Sequence, residues 1–145
     1  MKVVLQRVSQ GRVSVGGEKI AEINQGLVIL LGVGPDDTRE GAQSLAKKIV
    51  QLRIFPDDQG KMNLSLLDIG GSALVVPQFT LFADTTRGHR PSFVKAAPPE
   101  IAKPMAAFFS SCIKDLGVPT SEGQFGAHML VEILNDGPVT IVIEG

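Results

Sequence analysis

The sequence predicts an α+β fold: one β-rich domain over residues 1–145, its antiparallel or mixed sheets curling into a barrel-like core, with two main helices. Short apolar runs rich in Val, Ile and Leu and bounded by Gly or Pro recur from the first residues to the last, the mark of strands. Only two stretches change to helical spacing. No repeat, linker or low-complexity segment divides the 145 residues, a length that suits a single hydrophobic core.

A meander begins at residue 2, where Val13 and Val15 alternate with Arg12, Ser14 and Gly16, and Gly16-Gly17 is a two-residue hairpin signal. Leu27 to Leu31 is an unbroken apolar run between Gly26 and Gly32, as expected of a central strand buried on both faces. Ala42, Leu45, Ala46, Ile49 and Leu52 give one amphipathic helix from about 38 to 52, with Asp37 three residues before Glu40 as its capping pair. Asp57 to Gly60 and Gly70-Gly71 read as turns, Ser72 to Val76 as a second apolar strand, and Ala83 to Pro91 as irregular chain. Ile101, Met105, Phe108, Phe109, Cys112, Ile113 and Leu116 form the second helical stripe, which stops at Gly117. Pro104 interrupts it, so this helix either starts there or begins near Pro99 and bends. Met129 to Leu134 and Val139 to Ile143 are read as two closing strands joined by a turn at Asn135-Asp136-Gly137-Pro138.

Composition narrows the function. Hydrophobic residues make up 43% and charged residues 20% of the chain, the balance of an ordinary globular protein rather than a disordered one. The charged and polar opening Met1 to Arg7 leaves no room for a signal-peptide core, and no apolar run reaches the ~20 residues of a membrane helix. A cytoplasmic location and no membrane partner are therefore expected. Cys112 is the only cysteine, so an internal disulfide and a cysteine zinc site are both excluded. The net charge of −1 speaks against a protein that coats nucleic acid, while leaving room for a local phosphate site.

Familiar catalytic groups are scarce. His89 and His128 lie far apart without a carboxylate near either, which argues against a triad and against a metal site. Cys112 falls on the apolar stripe of a helix and is read as core. Asp57, Asp58, Asp84, Glu100 and Asp115 fall in turns or helix ends, where carboxylates cap and solvate. Three stretches remain. Pro77-Gln78-Phe79-Thr80-Leu81 follows a buried strand; it reads either as that strand continuing, or as a site where backbone N–H groups and the Gln78 and Thr80 side chains stabilise an oxyanion. Asn135 to Thr140 is ordinary turn chemistry by its residues alone. Arg87 to Lys95 is a basic loop, read either as solvated surface or as a modest phosphate site.

Taken together and in order, Leu5-Gln6-Arg7-Val8, Gly60 to Leu64, Gln78-Phe79-Thr80-Leu81, Gly88 to Phe93, Gly123 to Ala127 and Asn135 to Thr140 resemble the segments of the D-aminoacyl-tRNA deacylase family, along essentially the whole chain. The resemblance implies a homodimer with two active sites at the subunit interface, a tRNA partner bearing an aminoacylated 3′ end, and no cofactor or metal. It makes Gln78, Phe79 and Thr80 the catalytic wall. It gives substrate binding to Gly137, Pro138, Val139 and Thr140, with Gly137-Pro138 a cis pair inserted into the other subunit's pocket, and it implies that Phe125 and Met129 line the terminal adenosine. Arg7 would support the Gly-Pro loop. The implied reaction is hydrolysis of the ester of D-aminoacyl-tRNA, and of glycyl-tRNA mischarged on tRNA-Ala, with L-aminoacyl esters rejected. Pro77 departs from the family's usual Ser, which removes one backbone donor and a hydroxyl. A deacylase of relaxed chirality, a non-catalytic dimeric nucleic-acid-binding module and a metal-independent esterase of small esters are the alternatives.

Overall fold

A computed structural model describes residues 1–145. In chain order it contains β1 (Lys2–Val15), β2 (Glu18–Ile23), β3 (Gly26–Gly32), α1 (Arg39–Gln51), β4 (Phe55–Pro56), β5 (Met62–Leu64), β6 (Ser72–Pro77), a short 3-10 turn (Phe79–Phe82), α2 (Pro99–Asp115), β7 (Thr120–Glu122) and β8 (Leu130–Glu144). The main sheet runs β2-β1-β3-β6-β7, and β8 pairs with the other edge of β1. β1 is antiparallel to β2, β3 and β8, whereas β3, β6 and β7 are mutually parallel. The sheet curls until β2 approaches β6 and β7, giving a nearly closed, barrel-like wall of mixed strands. The α+β expectation is met, with its two helices.

Two apolar clusters follow from the two faces of this wall. The larger one packs Val3, Leu5, Leu27, Ile29 and Leu31 against Ile49 of α1 and Phe109 and Ile113 of α2. Each such fully buried side chain contributes about 1.5–3 kcal/mol relative to exposure. The smaller one, inside the curl, holds Val8, Val13, Ile23, Val28, Leu74 and Val76. β1 feeds both, because its register slips between Val8 and Gln10. Before the slip the odd residues Val3 and Leu5 face the helices; beyond it the odd residue Val13 faces the inside of the curl. One extra residue in a strand reverses every later side chain.

Several local expectations are corrected. α1 is capped not by Asp37 but by Thr38, whose hydroxyl accepts from the Gly41 amide at 3.1 Å. Asp37 instead turns back to accept from the Gly34 amide at 2.6 Å and pairs with the ammonium of Met1. α2 begins at Pro99, with Pro in its first turn, and keeps Pro104 inside. The closing segment is one strand, β8, rather than two strands joined by a hairpin turn. Both halves run along the same partner, β1, and residues 136–139 form an outward bulge between them. Cys112 is buried in the larger core, as its spacing implied. No helix is long and apolar enough to cross a membrane.

Candidate functional site

Opposite Arg7 the β1–β8 ladder opens. Gln6 pairs with Thr140 and Val8 with Asn135, so a single residue of β1 faces the four residues 136–139 of β8. These four are forced out of the sheet plane. The Gly137-Pro138 peptide within them is cis. Gly137 has φ +126°, and a Cβ there would lie 2.9 Å from Val139 Cγ2 and 3.0 Å from Arg7 Nη2. Only glycine fits that backbone.

Arg7 holds the bulge from beneath. Its side chain is buried, with Nε donating to the Asp136 carbonyl at 3.0 Å and Nη1 to the Ile54 carbonyl at 2.7 Å. The Asp136 carboxylate stands 3.6 Å from Nε and supplies the counter-charge. From above, Asn135 accepts from the Val139 amide at 3.2 Å through Oδ1 and donates to Thr140 Oγ1 at 2.9 Å through Nδ2. Gln6 Nε2 donates to the same hydroxyl at 3.3 Å. Gln6 and Asn135 stand in motif segments of the sequence, but Ile54 contributes only a main-chain carbonyl, for which no side-chain signal exists.

The second assembly follows β6. Pro77 pairs with Leu31 and has no N–H, and the β6–β7 ladder stops at Val75–Glu122. Gln78 still donates its amide to the Leu31 carbonyl at 2.7 Å. The chain then leaves the sheet: residues 79–82 wind into a 3-10 turn rather than prolonging the strand. The amides of Phe79 and Thr80 are the first two of this turn and have no acceptor within the chain, as the geometry of a helix start dictates. Both residues are exposed, Phe79 to 57%. Gln78 Nε2 donates to Thr80 Oγ1, which ties the two side chains together. Phe93 meets Phe79 edge-on, with ring centroids 5.1 Å apart; sequence reading missed this partner, which lies beyond an irregular loop.

Met129 reaches this assembly: its sulfur accepts from the Gln124 amide at 3.3 Å and fills the space over Gly123, with Pro77 alongside. Phe125 is partly buried against the larger core, whereas Met129 packs on the smaller one. The two assemblies do not meet within one chain. The turn leaves the sheet at the row Val3–Leu31–Pro77, and the bulge faces the row Arg7–Leu27–Ala73. From Val3 to Arg7 is about 13 Å along β1, and from β8 to β6 is about 14 Å across the strands.

Of the two histidines, neither makes a hydrogen bond or ion pair to another group of the chain. No cluster of three His, Cys, Asp or Glu residues is disposed around a common point. A surface depression of about 780 Å³ lies between Lys2, Asp37, Phe82, Asp84, Val94 and Lys95. Neither Phe79 nor Thr80 lines it. Asp84, at its rim, is held far below the usual carboxylate range, first by the Thr86 hydroxyl and amide and then by Lys95 at 3.0 Å.

Two amides without an acceptor on exposed residues, beside a hydrogen-bonded amide and hydroxyl, suit a carbonyl that gains negative charge, as in hydrolysis of an ester. Comparison with known proteins gives the same class. The family model described as D-Tyr-tRNA(Tyr) deacylase matches residues 4–144. A D-aminoacyl-tRNA deacylase of Roseiflexus sp. (strain RS-1) is 57% identical over 144 residues, covering 99% of this chain and 93% of the relative. That of Deinococcus radiodurans is 50% identical, with 99% of each chain covered. Among solved structures, one titled c-Myc DNA Unwinding Element Binding Protein superposes with a TM-score of 0.94 at 40% identity, over 100% of this chain and 99% of the other. Another, a candidate eukaryotic D-amino acid tRNA deacylase, shares the fold at TM-score 0.79 and 17% identity, over 98% and 97% of the two chains. Fold and comparisons together define a hydrolase of ester bonds. The chain belongs to the D-Tyr-tRNA(Tyr) deacylase family.

Proposed function

We propose that this protein hydrolyses the ester joining a D-amino acid, or glycine, to the 3′ end of tRNA, and spares L-aminoacyl esters. The observation that carries the reading is the pair of unengaged amides at Phe79 and Thr80, with Gln78 locked to the Thr80 hydroxyl. In it, the ester carbonyl oxygen sits against the two amides and gathers charge as water attacks. Gln78 holds the ester or ribose. No side-chain base adjoins the turn, so the terminal ribose 2′-hydroxyl of the substrate is assigned the task of assisting the water. The tetrahedral intermediate then expels the ribose oxygen, which leaves free tRNA and the amino acid. Thr80 acts through its amide and as the partner of Gln78, not as a nucleophile.

Chirality is assigned to Gly137-Pro138, with Val139 and Thr140 completing the probe. A rigid main-chain wall excludes an L side chain while a D side chain points to solvent, and glycine has nothing to exclude. Arg7, Asn135 and Gln6 fix that wall. Because the bulge lies far from the turn in one chain, the probe is assigned to the partner subunit of a homodimer. The outer edge of β8 is unpaired, and Leu130, Leu134 and Val142 on this strand are exposed, features that call for cover. Met129 and Phe125 are assigned to the terminal adenosine. The relative named for binding a DNA unwinding element favours a second reading, a dimer that holds nucleic acid without turnover.

Release of the amino acid from D-Tyr-tRNA, L-Tyr-tRNA and Gly-tRNA tests both readings, with Gln78→Ala and Pro138→Ala alongside. Loss of the D and glycyl esters alone is expected, with Gln78→Ala slow and Pro138→Ala hydrolysing the L ester. Hydrolysis of none supports the binding module. Hydrolysis of all three by the parent chain assigns relaxed chirality to Pro77.

A further inference from the structure

Four of the six arginines are spent inside the molecule. Arg7 binds the Ile54 and Asp136 carbonyls, Arg12 pairs with Glu22 and Glu132, Arg39 stacks 4.1 Å over the Phe108 ring, and Arg53 donates to the Asn63 carbonyl at 2.9 Å. The remaining two, Arg87 and Arg90, have no acceptor, carboxylate or ring in the chain. Both stand in one loop, three residues apart, with Gly88 between them at φ +69°. That left-handed turn favours glycine and exposes both guanidinium groups at the tip.

This loop is not a loose tether. Its neck is closed by reciprocal backbone bonds between Asp84 and Ser92, at 2.8 and 3.0 Å, and by the Asp84–Lys95 pair at 3.0 Å. On one side it continues from the 3-10 turn that carries the free amides; on the other, Phe93 packs its ring on Phe79. The neck therefore neutralises its own carboxylate with Lys95 and leaves the positive charge at the tip of a loop whose base adjoins the candidate catalytic turn. In the neighbouring depression the Met1 ammonium, Lys2 and Lys95 are already paired with Asp37, Glu144 and Asp84, and Asp36 adds a further carboxylate, so no cation there is left for an anion.

We infer that Arg87 and Arg90 form a clamp for backbone phosphates of the tRNA near its 3′ end, so that the loop sets the register of the ester over the Phe79 and Thr80 amides. Guanidinium forks bind phosphate with paired, charge-assisted hydrogen bonds, and this is the chemistry that an otherwise acidic chain of net charge −1 must concentrate locally to hold RNA at all. The inference rests on tRNA being the substrate, as proposed above.

The test is binding of uncharged tRNA by fluorescence anisotropy over a salt series, for the full-length protein and for the double variant Arg87→Ala/Arg90→Ala, with KM and kcat for D-Tyr-tRNA measured beside it. Removing two phosphate contacts lowers the slope of log K against log salt by about 1.4 on single-stranded RNA. KM is expected to rise more than tenfold with kcat nearly constant. Arg87→Lys/Arg90→Lys keeps the charge and restores most of the slope. Lys47→Ala/Lys48→Ala removes the same charge from the exposed face of α1 and leaves the slope unaltered. An unchanged slope in the arginine variant, or an equal change in the lysine control, overturns the inference. A parent chain that binds tRNA through these arginines but hydrolyses no ester keeps the clamp and overturns the proposed activity instead.

Discussion

The bulge at residues 136–139 and the turn at residues 78–80 both leave the sheet, and they leave it under opposite conditions. Every side chain around the bulge is engaged: Arg7 beneath it, Asn135 across it and Gln6 behind it hold carbonyls, an amide and a hydroxyl in place. The turn keeps one side-chain hydrogen bond and exposes two amides with nothing to bind. A wall that excludes a shape gains from rigidity. A site that stabilises charge appearing only during reaction gains from donors left free until then. The two functions are separated in the chain as well as in chemistry, since the two segments leave the sheet from different rows and different strands.

That contrast breaks most sharply at Phe79. Phe79→Pro deletes one free amide at the first position of the turn, where proline is tolerated, and Gln78 before it, at φ −144°, ψ 79°, lies outside the helical region that a following proline disfavours. Phe79→Ala deletes the ring and keeps the amide. The proline variant is expected to have a kcat lower than the alanine variant by about 100-fold or more, measured as single-turnover deacylation. Equal rates would remove the amide from the chemistry.

On the braced side, Arg7→Ala leaves the buried Ile54 carbonyl and the part-buried Asp136 carbonyl without their charged donor. A loss of about 2–3 kcal/mol in denaturant unfolding is expected, with catalytic efficiency on the D ester lower by up to about 100-fold as the bulge shifts. An activity loss without a stability loss would mean that Arg7 touches substrate rather than bracing the wall.

The smallest effect is expected at Asp84, whose carboxyl is engaged at the neck of the basic loop. Because its folded pKa is depressed, its contribution is complete above the usual Asp range near 4 and is lost only as pH falls through the folded value. Asp84→Asn is therefore expected to speed amide exchange at Thr86 and Ser92 at neutral pH, with the gap from the parent closing in strong acid. A gap that persists there would assign the effect to the backbone instead.

Much of the architecture was legible in the residues. The unbroken run Leu27 to Leu31, the spacing of Ala42 to Ile49 and the stripe ending at Gly117 each imposed the element they predicted. What escaped was decided by partners distant in sequence. Nothing local tells Asn135 to Pro138 to be a bulge rather than a hairpin turn, because the choice depends on both flanks of β8 finding the same face of β1. The slip near Val8 is hidden for the same reason, as is the short β4–β5 pair. At the site, residue identity singled out Gln78, Thr80 and the backbone amides beside them, and only the family resemblance added Gly137. The Ile54 carbonyl and the Phe93 ring were invisible, since a main-chain carbonyl has no letter and the loop path sets the ring.

The pairing of β1 with β8 has a temporal consequence. β1 leaves a ribosome more than a hundred residues before its partner, Leu130 to Glu144. At the usual pace of synthesis the interval is of the order of ten seconds. During it β1 can pair with β2 and β3, but its other edge stays open and the segment that carries Gly137-Pro138 has yet to be made. Throughout that interval the nascent chain carries a long apolar strand edge without its partner, a period in which a chaperone that covers such edges would raise the yield of folded chains.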